Sequence, residues 1–369
     1  MRNKNKKLSL FSKISFAIFL IILPLYIGSR LSVPFADFVN GTIARWYRVG
    51  FGKLTSSVPF SLFEVVIASV PILFTLVIIT AVCRVKRREG RIRLLVNLTA
   101  IALLLWSGNA LALGVAYNAT PISERLSIER IEINEDNLTQ SLIMLRDEVN
   151  ELAPIVDVDG TLGMDSVYTM QEISNKICVS YEKIAAEYGY PYTFTTNAKA
   201  VRFSNIMSYF SITGIYTFYT GEANVNVAYP DYDVIFTAAH ELSHQRGVLR
   251  ENEANFMAYL VNARSDDPYL RYSAALTMLE HISSALYRTN ADAYREIISE
   301  LSDTAKADIL SSYAVSEKYG DTFISDISRF VNDLFLKSNG TPGIVSYGMV
   351  VELAVSYFYE TGRISENDK

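Results

Sequence analysis

Histidine and cysteine are scarce in this chain, with three and two copies among 369 residues. Two cysteines exclude the disulfide framework of a small secreted module, and their surroundings hold no zinc-finger pattern. A basic excess is also missing: 34 Lys and Arg stand against 39 Asp and Glu, for a net charge of -5. Without a basic stripe or an aromatic–basic alternation, nothing points to nucleic acid as a partner. There is no internal repeat and no low-complexity tract. Half of the residues are apolar and the mean hydropathy is +0.17, so the composition is not that of a disordered chain. The length suits one large domain or two ordinary ones.

The apolar residues are concentrated at the start. Three runs, at residues 10–28, 58–83 and 94–117, are each long enough to cross roughly 30 Å of hydrocarbon. The first follows the basic head MRNKNKK and lacks a clear small-residue cleavage site before Arg30, so it reads as a retained span and not a signal peptide. Lys4, Lys6, Lys7 and Lys13 flank it, and RVKRREGRIR, between the second and third runs, carries six Lys or Arg. Both segments are expected in the cytoplasm of a bacterial cell. The 30–57 loop and everything after residue 117 are then expected outside, although Arg30, Arg45, Arg48 and Lys53 dilute the contrast. This divides the chain into a membrane domain, 1–117, and an extracytoplasmic domain, 118–369. Cys83 and Cys178 fall on opposite sides and are not expected to pair. Glu64, near the outer end of the second run, reads as an interfacial carboxylate reaching headgroups in preference to a polar contact or ion path.

Beyond the spans, residues 118–134 read as a connector. Helices are expected over 136–152, where Leu138, Leu142, Met144 and Leu145 recur near helical period, and over about 166–188. VDVDGTLGMDS has three aspartates but not the twelve-residue calcium-loop pattern, so it reads as a loop. GIYTFYTGEANVNV is dense in aromatic and β-branched residues and predicts a short hairpin or edge strand. TAAHELSHQRG, NEANFMAYLVNAR and SAALTMLEHISSALYR read as helices. The last apolar stretch, SYGMVVELAVSYFYETG, is interrupted by Glu352 and reads as a buried or membrane-facing helix, not a fourth span.

HELSH, residues 240–244, holds two of the three histidines. On a helix His240 and His244 lie one turn apart on one face, the spacing at which two nitrogens reach one tetrahedral zinc. Glu241 is placed beside that face, where a carboxylate can take a proton from water as it attacks a carbonyl and return it to the leaving amine. The apolar flank VIFTAA puts the motif in an interior helix, where unpartnered imidazoles and carboxylates are costly. Gly247 can end the helix and turn the chain back toward RENEANF. That segment offers Glu251 or Glu253 as a third ligand, of which only one can face the metal well. Glu251 is preferred, with Asn255 four positions on to orient a ligand; Glu253 is the alternative, or a charge at a helix start. Arg246 is expected to pair with one of these carboxylates.

HELSH followed by ENEAN resembles the gluzincin class of zinc metallopeptidases, and more distantly the HtpX-like membrane peptidases. SYFSITGIYTFYTGEANVN, TAAHELSHQRG, ENEANF and SYGMVV are similar to a bacterial family of three-span membrane proteins, a likeness that implies no substrate. The resemblance implies a mostly α-helical, zincin-like α+β domain with Zn2+ on His240, His244 and Glu251, Glu241 as the base, and Asn255 in the place of the usual aspartate. The gap from His244 to Glu251 is shorter than is common in those peptidases. TGEANVNV could align an extended substrate, and Tyr347 could donate to an oxyanion. The expected function is a membrane-anchored zinc endopeptidase acting on a peptide or protein substrate. Its alternatives are a cell-envelope scaffold with a structural zinc, or an amidase acting on a cell-wall peptide.

Overall fold

Glu222, a buried carboxylate at the start of the central strand of a small sheet, accepts hydrogen bonds from the backbone N–H groups of Leu62 and Phe63 at 3.1 and 3.0 Å. It thereby satisfies two donors at the start of a membrane-length helix that no helical partner can reach. The computed structural model, which describes all residues except 1–7, 86–87, 157–167, 190–192, 321 and 366–369, is built around such joints between an apolar helical layer and a largely helical domain.

The apolar layer holds α1 (Leu10–Leu31), α2 (Val33–Val39), α3 (Arg45–Ser56), α4 (Leu62–Val85) and α5 (Arg88–Asn109). Three segments among the described residues, Leu10–Leu31, Leu62–Cys83 and Gly90–Asn118, are long and apolar enough to cross a membrane. They fall where the three runs were expected. α1 and α5 lie parallel: Ser12 donates to Asn97 near their starts, and Trp106 packs edge-on against both Phe19 and Tyr26 farther along. The starts of α1 and α5 therefore share one end of the layer with the close of α4. The 30–57 segment, expected only as a loop, is helical. A five-residue π turn, Asn40–Ala44, joins α2 to α3, and a second, Ala110–Gly114, extends α5. The connector contains α6 (Ile122–Arg125) and is tied back to Asp37, which accepts from Thr120 N at 2.9 Å and pairs with Arg125.

The remainder holds α7 (Glu135–Val156), α8 (Met170–Tyr188), β1 (Lys199–Val201), α9 (Ser204–Tyr209), β2 (Gly214–Thr217), β3 (Glu222–Asn226), α10 (Asp231–Gln245), α11 (Glu251–Ala263), α12 (Pro268–Thr289), α13 (Ala291–Ser299), α14 (Asp303–Tyr319), α15 (Phe323–Ser338) and α16 (Val350–Glu360). The core forms where the apolar stripe of α7, including Leu138, Leu142 and Leu145, meets α10, α11, α12 and α16. α16 is an eleven-residue buried helix, too short to span a bilayer. VDVDGTLGMDS lies, but for its first residue, outside the described residues.

The sheet has the order β1-β3-β2, with β3 parallel to β1 and antiparallel to β2. TGEANVNV thus supplies the central strand, with neighbours on both sides, and the preceding GIYT is an edge. Both faces of β3 are buried. Ala223 and Val225 join the core with Ala238, Ala239 and Leu242 of α10. Glu222, Asn224 and Asn226 alternate onto the other face, where Asn224 accepts from Ser61 at 2.7 Å. The period-two alternation of polar and apolar residues therefore joins two layers instead of exposing one face to water. Glu64, expected to reach headgroups, instead accepts from Phe203 N at 2.9 Å.

Replacing Glu222 by Ala leaves the first N–H groups of α4 without their acceptor. Thermal unfolding of the detergent-solubilised protein should show a loss of about 2 kcal/mol or more, against a negligible change for an exposed control such as Asp292→Ala.

Candidate metal centre

α10 carries His240 and His244 on one face, their rings edge-to-face at 4.5 Å. The helix then closes on a Schellman turn, in which Gly247 N donates to His244 O at 2.9 Å and Val248 N to Ser243 O at 3.1 Å. Gly247 takes φ +89°, and a Cβ there would meet the Arg48 guanidinium at 2.5 Å, so both backbone and space require glycine. The turn brings the Val248 carbonyl beneath His244, where it accepts from Nδ1 at 2.7 Å. It also lets α11 start at Glu251 after only a short gap.

His240 Nδ1 is bound to Asn255 Oδ1 at 2.7 Å. Carbonyl oxygens only accept, so both Nδ1 atoms carry hydrogen and both Nε2 atoms are directed at Glu251 Oε2, at 3.2 and 3.5 Å. Four ligands at zinc distances of about 2.05 Å would lie about 3.3 Å apart along a tetrahedral edge. The three residues could hold a metal ion, and their donor atoms all lie within 4.8 Å of one another. Converging lone pairs in a buried place repel unless a cation lies between them, and Glu251 Oε2 has no conventional hydrogen bond. A proton can serve. Burial alone would lower the basicity of His244, but the Glu251 carboxylate, with help from Glu241 and the Val248 carbonyl, raises its pKa to about 9. Burial likewise opposes ionisation of Glu251, yet His244 and His240 hold its carboxyl well below the usual range.

Glu241 is buried, and burial raises its pKa against the pull of both imidazoles. Its carboxylate accepts from the backbone N–H of Tyr216 in β2. Gly214, two residues earlier on the same edge, would place a Cβ 2.5 Å from Glu241 Oε1. The pairing of Ile215 and Thr217 with β3 leaves Gly214 and Tyr216 with outward backbone groups. A strand edge thus passes directly beside Glu241 and the His240–His244–Glu251 cluster. It belongs to GIYT and not to TGEANVNV, where the sequence suggested a substrate would align.

Glu253 faces elsewhere. It pairs with Arg250 at 3.0 Å, and Arg250 also donates to the carbonyls of Tyr117 and Ala119, fixing the start of α11 to the close of the third apolar segment. Arg246, expected to pair with a carboxylate, lies instead between Tyr181 and Phe194, its guanidinium 4.1 and 4.7 Å from their ring centres, and donates to Leu242 and Phe194 carbonyls. Tyr347 belongs to a 3-10 segment, Gly343–Met349, but its side chain lies outside the described residues. Two further residues near the cluster belong to no motif in the sequence. Arg48, buried, donates to Ala112 O, Asn40 O and Asn40 Oδ1, joining the two π turns under Gly247. His281 of α12 is held near a pKa of about 4 by burial and by the nearby His240. Its only sequence signal was being the last histidine left.

The chain matches the family described as Protein of unknown function (DUF3810) over residues 40–355, and it belongs to that family. The match takes in the second and third apolar segments together with the cluster. No curated protein and no solved structure matches the chain.

Metal binding must displace the proton between His244 and Glu251. Zinc affinity should therefore fall about tenfold for each pH unit below about 9, with one proton released per ion, measured by calorimetry in buffers of differing ionisation enthalpy. Asn255→Ala, which frees the His240 ring, should weaken binding about 10- to 100-fold. Glu251→Gln should weaken it more, whereas Glu253→Gln should leave it unchanged. The opposite order would assign the metal to Glu253.

Proposed function

We propose that the protein is a membrane-anchored zinc endopeptidase, with residues 1–117 as its membrane domain and 118–369 as a zincin-like domain on the extracytoplasmic side of a bacterial membrane. The observation that carries this reading is the position of Glu241: a buried carboxylate, one oxygen without a hydrogen-bond partner, beside three converging metal donors and a strand edge that no other strand pairs among the described residues. A structural zinc site has no use for a poised base and a free edge.

In this reading His240, His244 and Glu251 hold the ion, and Asn255 and Val248 fix the imidazoles so that Nε2 faces it. Zinc supplies Lewis acidity, acidifying water and polarising a carbonyl. Burial raises the pKa of the Glu241 carboxyl and so its affinity for a proton, which it can take on Oε2 from the attacking water and release to the departing amine. The outward N–H and C=O groups of Gly214 and the C=O of Tyr216 would bind an extended peptide as an added strand beside Glu241 and the three donors. Orientation rests on charge: Lys13 near the start of α1 and Arg88, Arg91 and Arg93 at the start of α5 belong to the end of the helical layer away from the cluster.

The test compares wild type with Glu241→Gln in metal content and in cleavage of a denatured-protein panel. Both should retain one zinc per chain, and the variant should lose about 100-fold or more in rate. Zinc in both with cleavage in neither would favour the envelope scaffold, and zinc in neither would remove the metal site itself.

A further inference from the structure

α15 exposes its apolar side. Phe323, Ile324, Ile327, Phe330, Val331 and Leu334 are all exposed, Phe323 at 79% and Phe330 at 69%. At 100° per residue they fall within an arc of about 120°, while Ser325 and Leu336 on the opposite side are buried. An amphipathic helix of a water-surrounded domain is oriented the other way, with its apolar stripe against the core. An exposed stripe of this size marks an interaction surface.

Both ends of α15 are attached to the same end of the membrane layer. At its start, Thr322 donates to the carbonyl of Tyr209 at 3.3 Å, and the α9 segment that contains Tyr209 exposes Phe203 and Ile206. That segment is joined in turn to the first turn of α4 by the Phe203–Glu64 hydrogen bond. At its close, Phe335 packs edge-on against Tyr117, and Leu336 is buried with Ala112, Leu113 and Ala116 at the outer end of the third apolar segment. The same buried cluster contains Tyr216 of β2, the residue whose N–H reaches Glu241. Sixteen residues make a helix of about 24 Å, too short to cross a bilayer but able to bridge between spans.

We infer that α15, continued by the α9 segment, lies in the plane of the outer membrane surface with its phenylalanine-rich side among the lipid chains. Continuity with the ends of α4 and α5 is what selects lipid as the occupant. A stripe fixed level with the rim of two spans meets the acyl boundary before it meets any soluble partner, and Asp326, Arg329 and Lys337 lie outside its arc, as expected of an interfacial helix. The inference does not depend on the metal reading. Joined to it, the contact puts the β2 edge at the bilayer surface and limits substrates to chains held in the same membrane.

The experiment uses the full chain with Cys83→Ser, leaving buried Cys178 in place, in nanodiscs of phosphatidylethanolamine and phosphatidylglycerol. Spin labels are introduced singly by Phe323→Cys, Ile327→Cys, Phe330→Cys and Leu334→Cys, with Asp326→Cys and Arg329→Cys as polar-side controls and Ile72→Cys, at the middle of the Leu62–Cys83 span, as a deep reference. The ratio of oxygen to nickel-chelate accessibility should be several-fold higher at the four apolar positions than at the controls, yet below that at Ile72. Water-like ratios at all six α15 positions would overturn the inference. So would strong spin–spin coupling between Phe330 labels of separate chains, which would assign the face to a second copy. Zinc content is read on the same samples, so loss of the metal site and loss of lipid contact are distinguishable.

Discussion

The reversal at Gly247 is the constraint on which the cluster depends. A short gap separates His244 from Glu251, and only a tight left-handed turn can bring the first residue of the next helix back under the last turn of the previous one. The turn has two effects. It starts α11 where the Glu251 carboxylate reaches both Nε2 atoms, and it supplies the Val248 carbonyl that fixes the His244 ring. The space under Gly247 is filled by Arg48, whose guanidinium is held by carbonyls of both π turns. A π turn shifts the helical hydrogen-bond register by one residue, a feature that often accompanies functional sites. The membrane layer thus braces the turn from below.

The same coupling runs through the sheet. β3 gives its apolar face to α10 and its buried polar face to the start of α4, so the helix that carries the histidines and a membrane helix are separated by one strand. Polar groups buried at such a joint are tolerable because each finds a partner, and the directionality of those bonds fixes the register between layers in a way that apolar contact alone does not. Two layers joined in this manner are poorly described as an anchor and a separate head. The family match, which covers the second and third apolar segments as well as the cluster, has the same extent.

Much of the outline could be read from the chain alone. The three apolar runs, the helices around HELSH and ENEAN, and the glycine stop between them follow from local periodicity and turn chemistry, and these are short-range properties. The errors share a cause. Arg246 was given a carboxylate partner because two lay close in sequence, yet its neighbours in space are Tyr181 and Phe194 from other elements. GIYTFYTGEANVNV forms the expected hairpin, β2 against β3, but strand composition says nothing of how many neighbours each strand has, so the candidate substrate strand TGEANVNV proves central and GIYT the edge. Glu222 as a cap for α4, Arg48 beneath Gly247 and His281 near His240 are contacts between segments far apart in sequence, and they leave no periodic trace.

The sequence by itself determined where helices could form, which runs were apolar enough to enter a membrane, and that His240 and His244 would share a helix face, since a turn of 3.6 residues permits nothing else. Tertiary structure decided which of two nearby glutamates meets those imidazoles, which strand edge passes Glu241, and which way α15 turns its apolar side. Periodicity shows that a helix has an apolar face. Only the packing of the other elements shows whether that face is covered.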